Sequence, residues 1–288
     1  MSEQQVDVWA AGDAYERYMG RWSRLVAARF VSWLGCEAGL RWLDVGCGSG
    51  ALTQAVADRC HPRTLLGLEP SPGFVATARA SVSAPARFAR ADAQSLPVPD
   101  AVFDVAVSGL VLNFLPDPGS AVAEAARAVR PGGLAAAYVW DYAEGMGFLR
   151  RFWDAAIAVD PSAGTLDEGG RFPLCGPEPL RELWSGAGLV ETAVASIEVP
   201  TRFAGFADLW EPFLAGQGPA PGYVAALSPD VRARLRETLR EAVPTGPDGT
   251  IELEARAWAV RGRRPAAGPE TAGPDLHLRT GPELHLRR

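Results

Sequence analysis

A glycine-rich segment, LDVGCGSG at residues 43–50, is the part of the sequence best suited to binding a small ligand. It follows an apolar run and precedes a helical pattern, which predicts a strand that turns directly into a helix. Glycines at such a turn let the backbone approach a ligand closely, and the helix N-terminus presents unpaired N–H groups. Because Gly46, Gly48 and Ala51 match the spacing G-x-G-x-x-A, a nicotinamide-dependent oxidoreductase is one interpretation.

Three acidic residues come at or after the ends of predicted strands. Asp44 stands two residues before the first glycine, where a carboxylate could meet the ammonium group of a ligand. Glu69 closes the second strand and could accept hydrogen bonds from two ribose hydroxyls, and Asp92 follows the third and could accept one from an adenine amino group. The carboxyl ends of parallel strands share one edge of a sheet. An amino-acid end, a ribose and an adenine in this order fit S-adenosylmethionine better than a dinucleotide.

Strand and helix patterns alternate along the chain and predict the elements that position these residues. We predict strands over residues 41–45, 64–68, 87–91, 103–107, 134–140, 191–199 and 250–260. Five successive alternations over residues 41–140 favour an α/β fold with a doubly wound, Rossmann-like parallel sheet that has helices on both faces.

The regular alternation stops after the fifth strand. Residues 141–177 contain aromatic side chains around a Pro/Gly-rich middle and predict an inserted cap, in which Phe148 and Trp153 would either wall a pocket or fill the core. Residues 263–288 are rich in Pro, Gly and Arg and carry two near-copies of an octapeptide, which cannot bury a core. We therefore predict one domain over residues 1–262 and a disordered tail over 263–288.

The composition excludes several chemistries. The chain of 288 residues has no lysine, so a Walker-type phosphate loop and a pyridoxal Schiff base are ruled out. A formal net charge of −6 argues against a broad nucleic-acid surface. The four cysteines are scattered without metal-ligand spacing. The N-terminal residues lack the basic region and the apolar core of a signal peptide. No stretch reaches the roughly 20 apolar residues of a membrane span. We expect a cytoplasmic protein, monomeric or homodimeric, with no metal and with no nucleic-acid or membrane partner.

The sequence resembles the class I S-adenosylmethionine-dependent methyltransferases, and within them the type 11, quinone-biosynthesis C-methyltransferase-like group. The resemblance covers residues 13–140 and, in outline, 176–260. It implies a seven-stranded sheet whose last strand is antiparallel and lies beside the sixth. The segments that carry the resemblance are LDVGCGSG (43–50), LEPS (68–71), ARADAQSLPVPDAVFDV (89–105), LVLNFLPDP (110–118) and RPGG (130–133).

The same resemblance implies a set of cofactor-binding residues. The glycine loop would hold the methionine end of S-adenosylmethionine, the end of the second strand its ribose and the segment after the third strand its adenine. An N-terminal lid over residues 1–34 would close over the cofactor. The residues implied are Tyr18, Arg21, Asp44, Gly46, Cys47, Gly48, Glu69, Pro70, Ser71, Asp92, Ala93 and Leu110.

We therefore expect direct, metal-independent methyl transfer to a small organic molecule. No residue stands out as a catalytic base; the candidates are Asp141 and Tyr142 after the fifth strand, and Glu168 or Arg171 in the cap. Two alternatives remain open: a non-catalytic protein that binds S-adenosylmethionine, and an oxidoreductase, which lacks a recognisable Tyr/Lys or His proton donor.

Overall fold

Seven strands form one sheet in this protein, whose computed structural model describes residues 19–215 and 218–266. The strands are β1 Arg41–Val45, β2 Thr64–Leu68, β3 Arg87–Ala89, β4 Phe103–Gly109, β5 Val129–Trp140, β6 Val190–Phe203 and β7 Ile251–Arg263. Their spatial order is β3-β2-β1-β4-β5-β7-β6, and only β7 runs antiparallel to its neighbours. The predicted doubly wound sheet with a reversed last strand is confirmed.

The fifth strand begins earlier than predicted, at Val129 rather than at residue 134, and includes the Pro/Gly segment at residues 130–133. Opposite β4, residues 130–133 bulge out of register. The same segment pairs with the residue that follows β7. The N–H of Gly132 donates to the carbonyl of Arg264, and the N–H of Arg264 donates to the carbonyl of Gly133, both at 2.9 Å. Because this partner is distant in sequence, local turn propensity could not predict the pairing.

The predicted strand ends differ from the observed ends in four further places, the first of which is β4, which continues to Gly109 rather than to residue 107. β3 stops at Ala89, and β6 continues to Phe203 because it pairs with β7 along its length. β7 ends at Arg263, one residue beyond the domain boundary that we predicted at 262. Residues 267–288 of the predicted tail lie outside the described residues.

Helices cover both faces of the sheet. They are α1 Arg21–Leu34, α2 Ala51–Cys60, α3 Pro72–Ser81, α4 Pro118–Ala128, α5 Gly147–Val159, α6 Glu168–Arg171, α7 Pro177–Gly186, α8 Phe206–Trp210, α9 Pro219–Ala226 and α10 Pro229–Ala242. Even-numbered positions of β5 from Leu134 to Trp140 face a core formed with α1, α2 and α5. Odd-numbered positions from Ala135 to Val139 face a second core formed with α4 and α7.

The predicted cap, residues 141–177, contains α5, a 3-10 turn at Pro161–Thr165 and α6. Phe148 and Trp153 of α5 are fully buried. The neighbouring Phe152 stacks on Phe213 with ring centroids 4.3 Å apart. Of the two interpretations offered for Phe148 and Trp153, the structure shows that both fill the core.

Of the N-terminal segment predicted as a lid, residues 1–34, the structure describes α1 from Arg21 onwards, and residues 1–18 lie outside the described residues. Val26, Phe30 and Leu34 lie on the buried face of α1 at helical spacing, and Gly35 ends it in the left-handed conformation at φ +61°. Within residues 19–215 and 218–266, no helix combines the length and the apolar character needed to cross a bilayer.

Candidate active site

The glycine loop lies between β1 and α2, at the carboxyl edge of the sheet. The N–H groups of Gly46 and Cys47 both donate to the carbonyl of Leu68, at 2.7 and 3.0 Å, which anchors the loop to the end of β2. Gly46 and Gly48 have φ of +72° and +52°, in the region that favours glycine. A Cβ at Gly46 would stand 2.5 Å from a methyl of Val111, whereas a Cβ at Gly48 would meet nothing within 4 Å. Gly48 therefore faces open space that a ligand can enter.

Glu69 connects the glycine loop to the turn after β2. Its carboxylate accepts hydrogen bonds from the N–H of Gly48 (3.1 Å) and of Ser71 (3.0 Å). Ser71 in turn caps α3 by accepting from the N–H of Phe74 at 3.4 Å. Burial raises the pKa of Glu69, and the two backbone donors partly offset that effect. These contacts fix one carboxylate beside the loop, with capacity for further donors from a ligand.

One cavity of about 330 Å³ lies at this edge of the sheet. Most of the residues predicted to bind a cofactor line it: Gly46, Cys47, Gly48, Glu69, Pro70, Ser71, Asp92, Ala93 and Leu110. Asp92 is an exposed residue whose carboxylate also accepts from the N–H of Gln94 at 2.9 Å. The segments after four strands, β1 to β4, thus contribute to a single site, as parallel connections require.

Leu110 closes β4 in a strained conformation. Its φ is +64°, unusual for a residue with a side chain, and its N–H donates to the carbonyl of Tyr138 at 2.8 Å. Backbone strain of this kind costs about 1–3 kcal/mol and concentrates at ligand sites. It keeps Leu110 on the wall of the cavity, as predicted.

Another part of the cavity lining contains several aromatic side chains, and sequence reasoning did not bring them together. We call the group formed by Phe114, Tyr138, Trp140, Tyr142, Leu149 and Glu168 the aromatic compartment. Tyr138 and Trp140 share one face of β5, so the two-residue period of that strand was the available signal. Other lining residues that we did not predict are Met19, Ser23, Phe74, Leu115 and Pro219.

Asp44 lies behind the glycine loop and is not among the described residues that line the cavity. It is fully buried, and its Oδ2 accepts from the hydroxyl of Thr53 on α2 at 2.6 Å. Its Oδ1 is buried without a hydrogen-bond partner in the described part of the chain. Burial and, to a smaller extent, the nearby charge of Glu69 raise the pKa of Asp44 to about 7, although the hydrogen bonds from Thr53 oppose this shift.

We expect Asp44 to make the free energy of unfolding fall as the pH rises from about 4 to about 7. Over this range an unfolded chain releases the proton of Asp44 while the folded protein retains it, so folding becomes less favourable by up to about 1.4 kcal/mol per pH unit. Urea denaturation of wild type and Asp44→Asn at several pH values isolates this contribution. The advantage of wild type over the variant should shrink by a few kcal/mol.

The control is the matching change at Asp58, which is exposed on α2. Asp58→Asn should follow wild type across the same pH range. A constant difference between wild type and Asp44→Asn at every pH would show that Asp44 is ionised throughout.

Of the two lid residues predicted to contact the cofactor, Tyr18 and Arg21, the structure describes only Arg21. Tyr18 lies outside the described residues. Arg21 is not among the described residues that line the cavity. Its guanidinium instead pairs with the carboxylate of Asp208 at 3.1 Å and lies over the ring of Trp22, 4.3 Å from the ring centroid. Its partner is 187 residues away in the sequence, which local reasoning could not foresee. The structure therefore places Arg21 in a contact between α1 and α8.

The two candidate bases at the end of β5 also differ. Asp141 is buried and is not among the described residues that line the cavity. Its carboxylate accepts hydrogen bonds from Arg256 Nη2 (2.6 Å) and from the indole N–H of Trp258 (3.2 Å). It also accepts from the N–H of Glu144 at 3.0 Å. Tyr142 lines the cavity. The surroundings of Asp141 indicate a structural carboxylate.

Of the two cap candidates, Glu168 lines the cavity and Arg171 is not among the described lining residues. Glu168 is buried and accepts a hydrogen bond from the indole N–H of Trp153. Burial raises the pKa of Glu168 to about 7. Arg171 lies over the ring of Phe172 at 5.4 Å. The structure thus brings one titratable carboxylate into the aromatic compartment.

The proteins that this chain resembles in sequence and in structure include several methyltransferases. Residues 43–137 match the family described as "Methyltransferase domain". The chain is 29% identical over 195 residues to 2-methyl-6-phytyl-1,4-hydroquinone methyltransferase of Synechocystis sp., covering 65% of this chain and 60% of that protein. It is 30% identical over 174 residues to trans-aconitate 2-methyltransferase of Deinococcus radiodurans, covering 59% and 66%. The chain thus spans less than two thirds of the length of either relative.

The fold resembles that of phosphoethanolamine N-methyltransferase 2 of Haemonchus contortus, solved with S-adenosyl-L-methionine. The TM-score is 0.54 at 17% identity, and the match covers 88% of this chain and 56% of that one.

The strand order, the glycine loop and the acidic residues after β2 and β3 form a Rossmann-like fold of the kind found in methyltransferases. Residues 43–137 match a methyltransferase domain, whose cofactor is S-adenosylmethionine. The described residues fit that cofactor, because Gly48 leaves open space in front of the loop and the carboxylate of Glu69 lies beside it.

Proposed function

We propose that this chain transfers a methyl group from S-adenosylmethionine directly to a small organic acceptor. One observation carries the proposal: a single cavity is lined both by the glycine loop with Glu69 and Asp92 and by the aromatic compartment. A cofactor and an acceptor could therefore share one enclosed space. This arrangement favours an enzyme over a protein that only binds the cofactor.

The cofactor-binding assignments follow from the lining of the cavity. The loop at Gly46 and Gly48 would hold the methionine end, Glu69 the ribose hydroxyls and Asp92 the adenine amino group, with Leu110 against the cofactor. Bound S-adenosylmethionine supplies a methyl group on a sulfonium, which is already activated for displacement. Asp44 would act from behind the loop by supporting its position.

The chain contributes position and exclusion of water. Holding the nucleophilic atom in line with the methyl group converts an encounter of two molecules into a reaction within one complex. Phe114, Trp140 and Leu149 present apolar surface to the acceptor and keep water out of the compartment.

The named acceptors of the two curated relatives are chemically different, a prenylated hydroquinone and a tricarboxylate. Likeness to them supports a small-molecule acceptor without choosing between these classes. Our proposal includes metal-independent transfer; within the described residues no three His, Cys, Asp or Glu side chains come together as metal ligands. It also includes a cytoplasmic setting, which the four free cysteine thiols support. We further propose a monomeric or homodimeric state and no nucleic-acid partner.

Thermal unfolding with S-adenosylhomocysteine, S-adenosylmethionine and NAD tests the proposal. A ligand at about 100 times its dissociation constant stabilises by about 2.7 kcal/mol, which raises Tm by several degrees. We expect this shift with the two adenosyl compounds and none with NAD. Glu69→Ala should abolish the shift, because the carboxylate beside the loop is lost.

Glu182→Ala, an exposed carboxylate on α7, is the control and should keep the full shift. A shift with NAD alone would support the oxidoreductase interpretation instead. No shift with either adenosyl compound would overturn the proposal.

A further inference from the structure

All charged side chains that line the cavity, within the described residues, are carboxylates. They are Glu69, Asp92 and Glu168. The first two lie at the cofactor end, whereas Glu168 belongs to the aromatic compartment. No described arginine lines the cavity, and the chain has no lysine. An acceptor in the compartment therefore meets aromatic surface, aliphatic surface and one carboxylate.

The short helix α6 holds Glu168 in place. Asp167 caps it by accepting from the N–H of Gly169 at 2.9 Å. The carboxylate of Asp167 also accepts from Arg150 Nη1 on α5 at 2.8 Å. A Cβ at Gly169 would stand 2.9 Å from the carbonyl of Tyr142, so α6 packs directly on the chain that follows β5. Two elements of the cap therefore fix the position of Glu168.

The hydrogen bonding of Glu168 leaves room for an acceptor. The indole N–H of Trp153, itself fully buried, donates to Oε2. The backbone N–H of Glu168 also donates a hydrogen bond to its own carboxylate. A carboxylate can accept about four hydrogen bonds, so these two donors leave capacity for a donor from an acceptor molecule. Trp153 thus orients the group without saturating it.

The charges around Glu168 leave it without a dedicated cation. Burial is the largest influence on the pKa of Glu168, which is raised to about 7, and the charge of Asp167 contributes to this rise. The hydrogen bonds from its own backbone N–H and from Trp153, and the charge of Arg150, oppose the rise in pKa. Arg150 is itself engaged with Asp167, and Arg171 on the same helix lies over Phe172. A group that titrates near neutral pH can accept a proton and later release it, as a general base must.

We propose that Glu168 is the general base for methyl transfer and that the acceptor is an amine or hydroxyl compound with an apolar body. This inference rests on the proposed function. The lone pair of the acceptor nitrogen or oxygen forms the new bond to the methyl carbon. The methyl–sulfur bond breaks with its electron pair left on sulfur, and the N–H or O–H proton moves to Glu168 and then to water.

A carboxylate acceptor fits this compartment poorly. It has no proton to lose, and it would face the carboxylate of Glu168 in a cavity whose described lining contains no cation. The acceptor class should therefore differ from the tricarboxylate named for the Deinococcus radiodurans relative.

Binding of three matched probes to the full chain saturated with S-adenosylhomocysteine tests the proposal. The probes are benzylamine, phenol and benzoate, and calorimetry measures each from pH 6 to pH 8. At least one of benzylamine and phenol should bind at least ten-fold tighter than benzoate. Its affinity should rise as the pH increases through 7, because the ionised carboxylate is the form that accepts its proton.

Glu168→Gln should lower the affinity of the preferred probe about ten-fold and remove its dependence on pH. Its affinity for S-adenosylhomocysteine should stay within two-fold of wild type. Glu168→Asp should retain part of the pH dependence. Glu178→Gln, an exposed carboxylate on α7, is the matched control and should behave as wild type.

Benzoate binding as tightly as the other probes, or no binding of any probe, would overturn the assignment of Glu168. So would a Glu168→Gln variant that binds the probes like wild type or loses S-adenosylhomocysteine. Failure of wild type to bind S-adenosylhomocysteine would instead contradict the proposed function, so the two failures are distinguishable.

Discussion

Gly46→Ala should destabilise the protein by about 2–4 kcal/mol, and the cause is local. An alanine at φ +72° is strained by about 1 kcal/mol relative to glycine. Its Cβ would also stand 2.5 Å from a methyl of Val111, an overlap of the kind that costs about 1–3 kcal/mol. Urea denaturation, with m-values compared to confirm a two-state transition, measures the loss.

Gly48→Ala is the matched comparison, because Gly48 also has positive φ but a Cβ there would meet nothing within 4 Å. We expect a smaller stability loss of about 1 kcal/mol, from backbone strain alone. Its affinity for S-adenosylhomocysteine should fall at least ten-fold, because the new methyl group enters the space that the cofactor needs. Substitutions at two glycines of the same loop would then impair the protein for different reasons: Gly46→Ala mainly lowers its stability, and Gly48→Ala mainly weakens cofactor binding.

Val111→Ala provides a further check on the first prediction. Combined with Gly46→Ala, it removes the overlapping methyl groups and should recover part of the lost stability relative to the sum of the single variants. Strict additivity of the two changes would show that the contact with Val111 is not the cause.

Asp141→Ala should lower the free energy of unfolding by about 3–5 kcal/mol. The carboxylate is buried and accepts from Arg256, from the indole of Trp258 and from the N–H of Glu144, so its removal leaves a cation and two donors without their partner. Thermal and urea unfolding measure this loss. Asp141 follows β5 and Arg256 is in β7, so the pair joins the cap to the last strand.

Glu144→Ala serves as the control for this experiment. Glu144 also contacts Arg256, at 3.5 Å, but its side chain is 83% exposed, and the expected change is below about 1 kcal/mol. If Asp141→Ala kept normal stability and lost only turnover, Asp141 would be the base and our structural interpretation would be wrong.

Sequence reasoning succeeded where short-range patterns determine the structure. The apolar runs predicted the location of every strand, and the loop at Gly46 and Gly48 lies at the strand–helix turn where its spacing indicated. Glu69 and Asp92 were found because the carboxyl ends of parallel strands share an edge, so their position in the chain fixes their position in the fold.

The same reasoning failed where a partner is distant in the chain. Nothing near Asp141 indicates that Arg256, 115 residues later, would pair with it. Asp44 and the glycine loop are adjacent in sequence, but the alternation of side chains along β1 directs Asp44 towards α2 and Thr53. Glu168 differs from the other cap carboxylates only through burial beside Trp153, which the cap sequence does not reveal.

The position of β7 has a consequence for how the chain acquires its structure during synthesis. β7 is the last strand to leave the ribosome, yet it lies between β5 and β6 and pairs with both. Until residues 251–263 emerge, both of these strands present unpaired edges, which are templates for association with other chains. Arg256, which holds Asp141 beneath the cap, arrives in the same segment. The nascent domain therefore exposes two unpaired strand edges until late in translation, and the contact between Asp141 and Arg256 forms in the same step that completes the sheet.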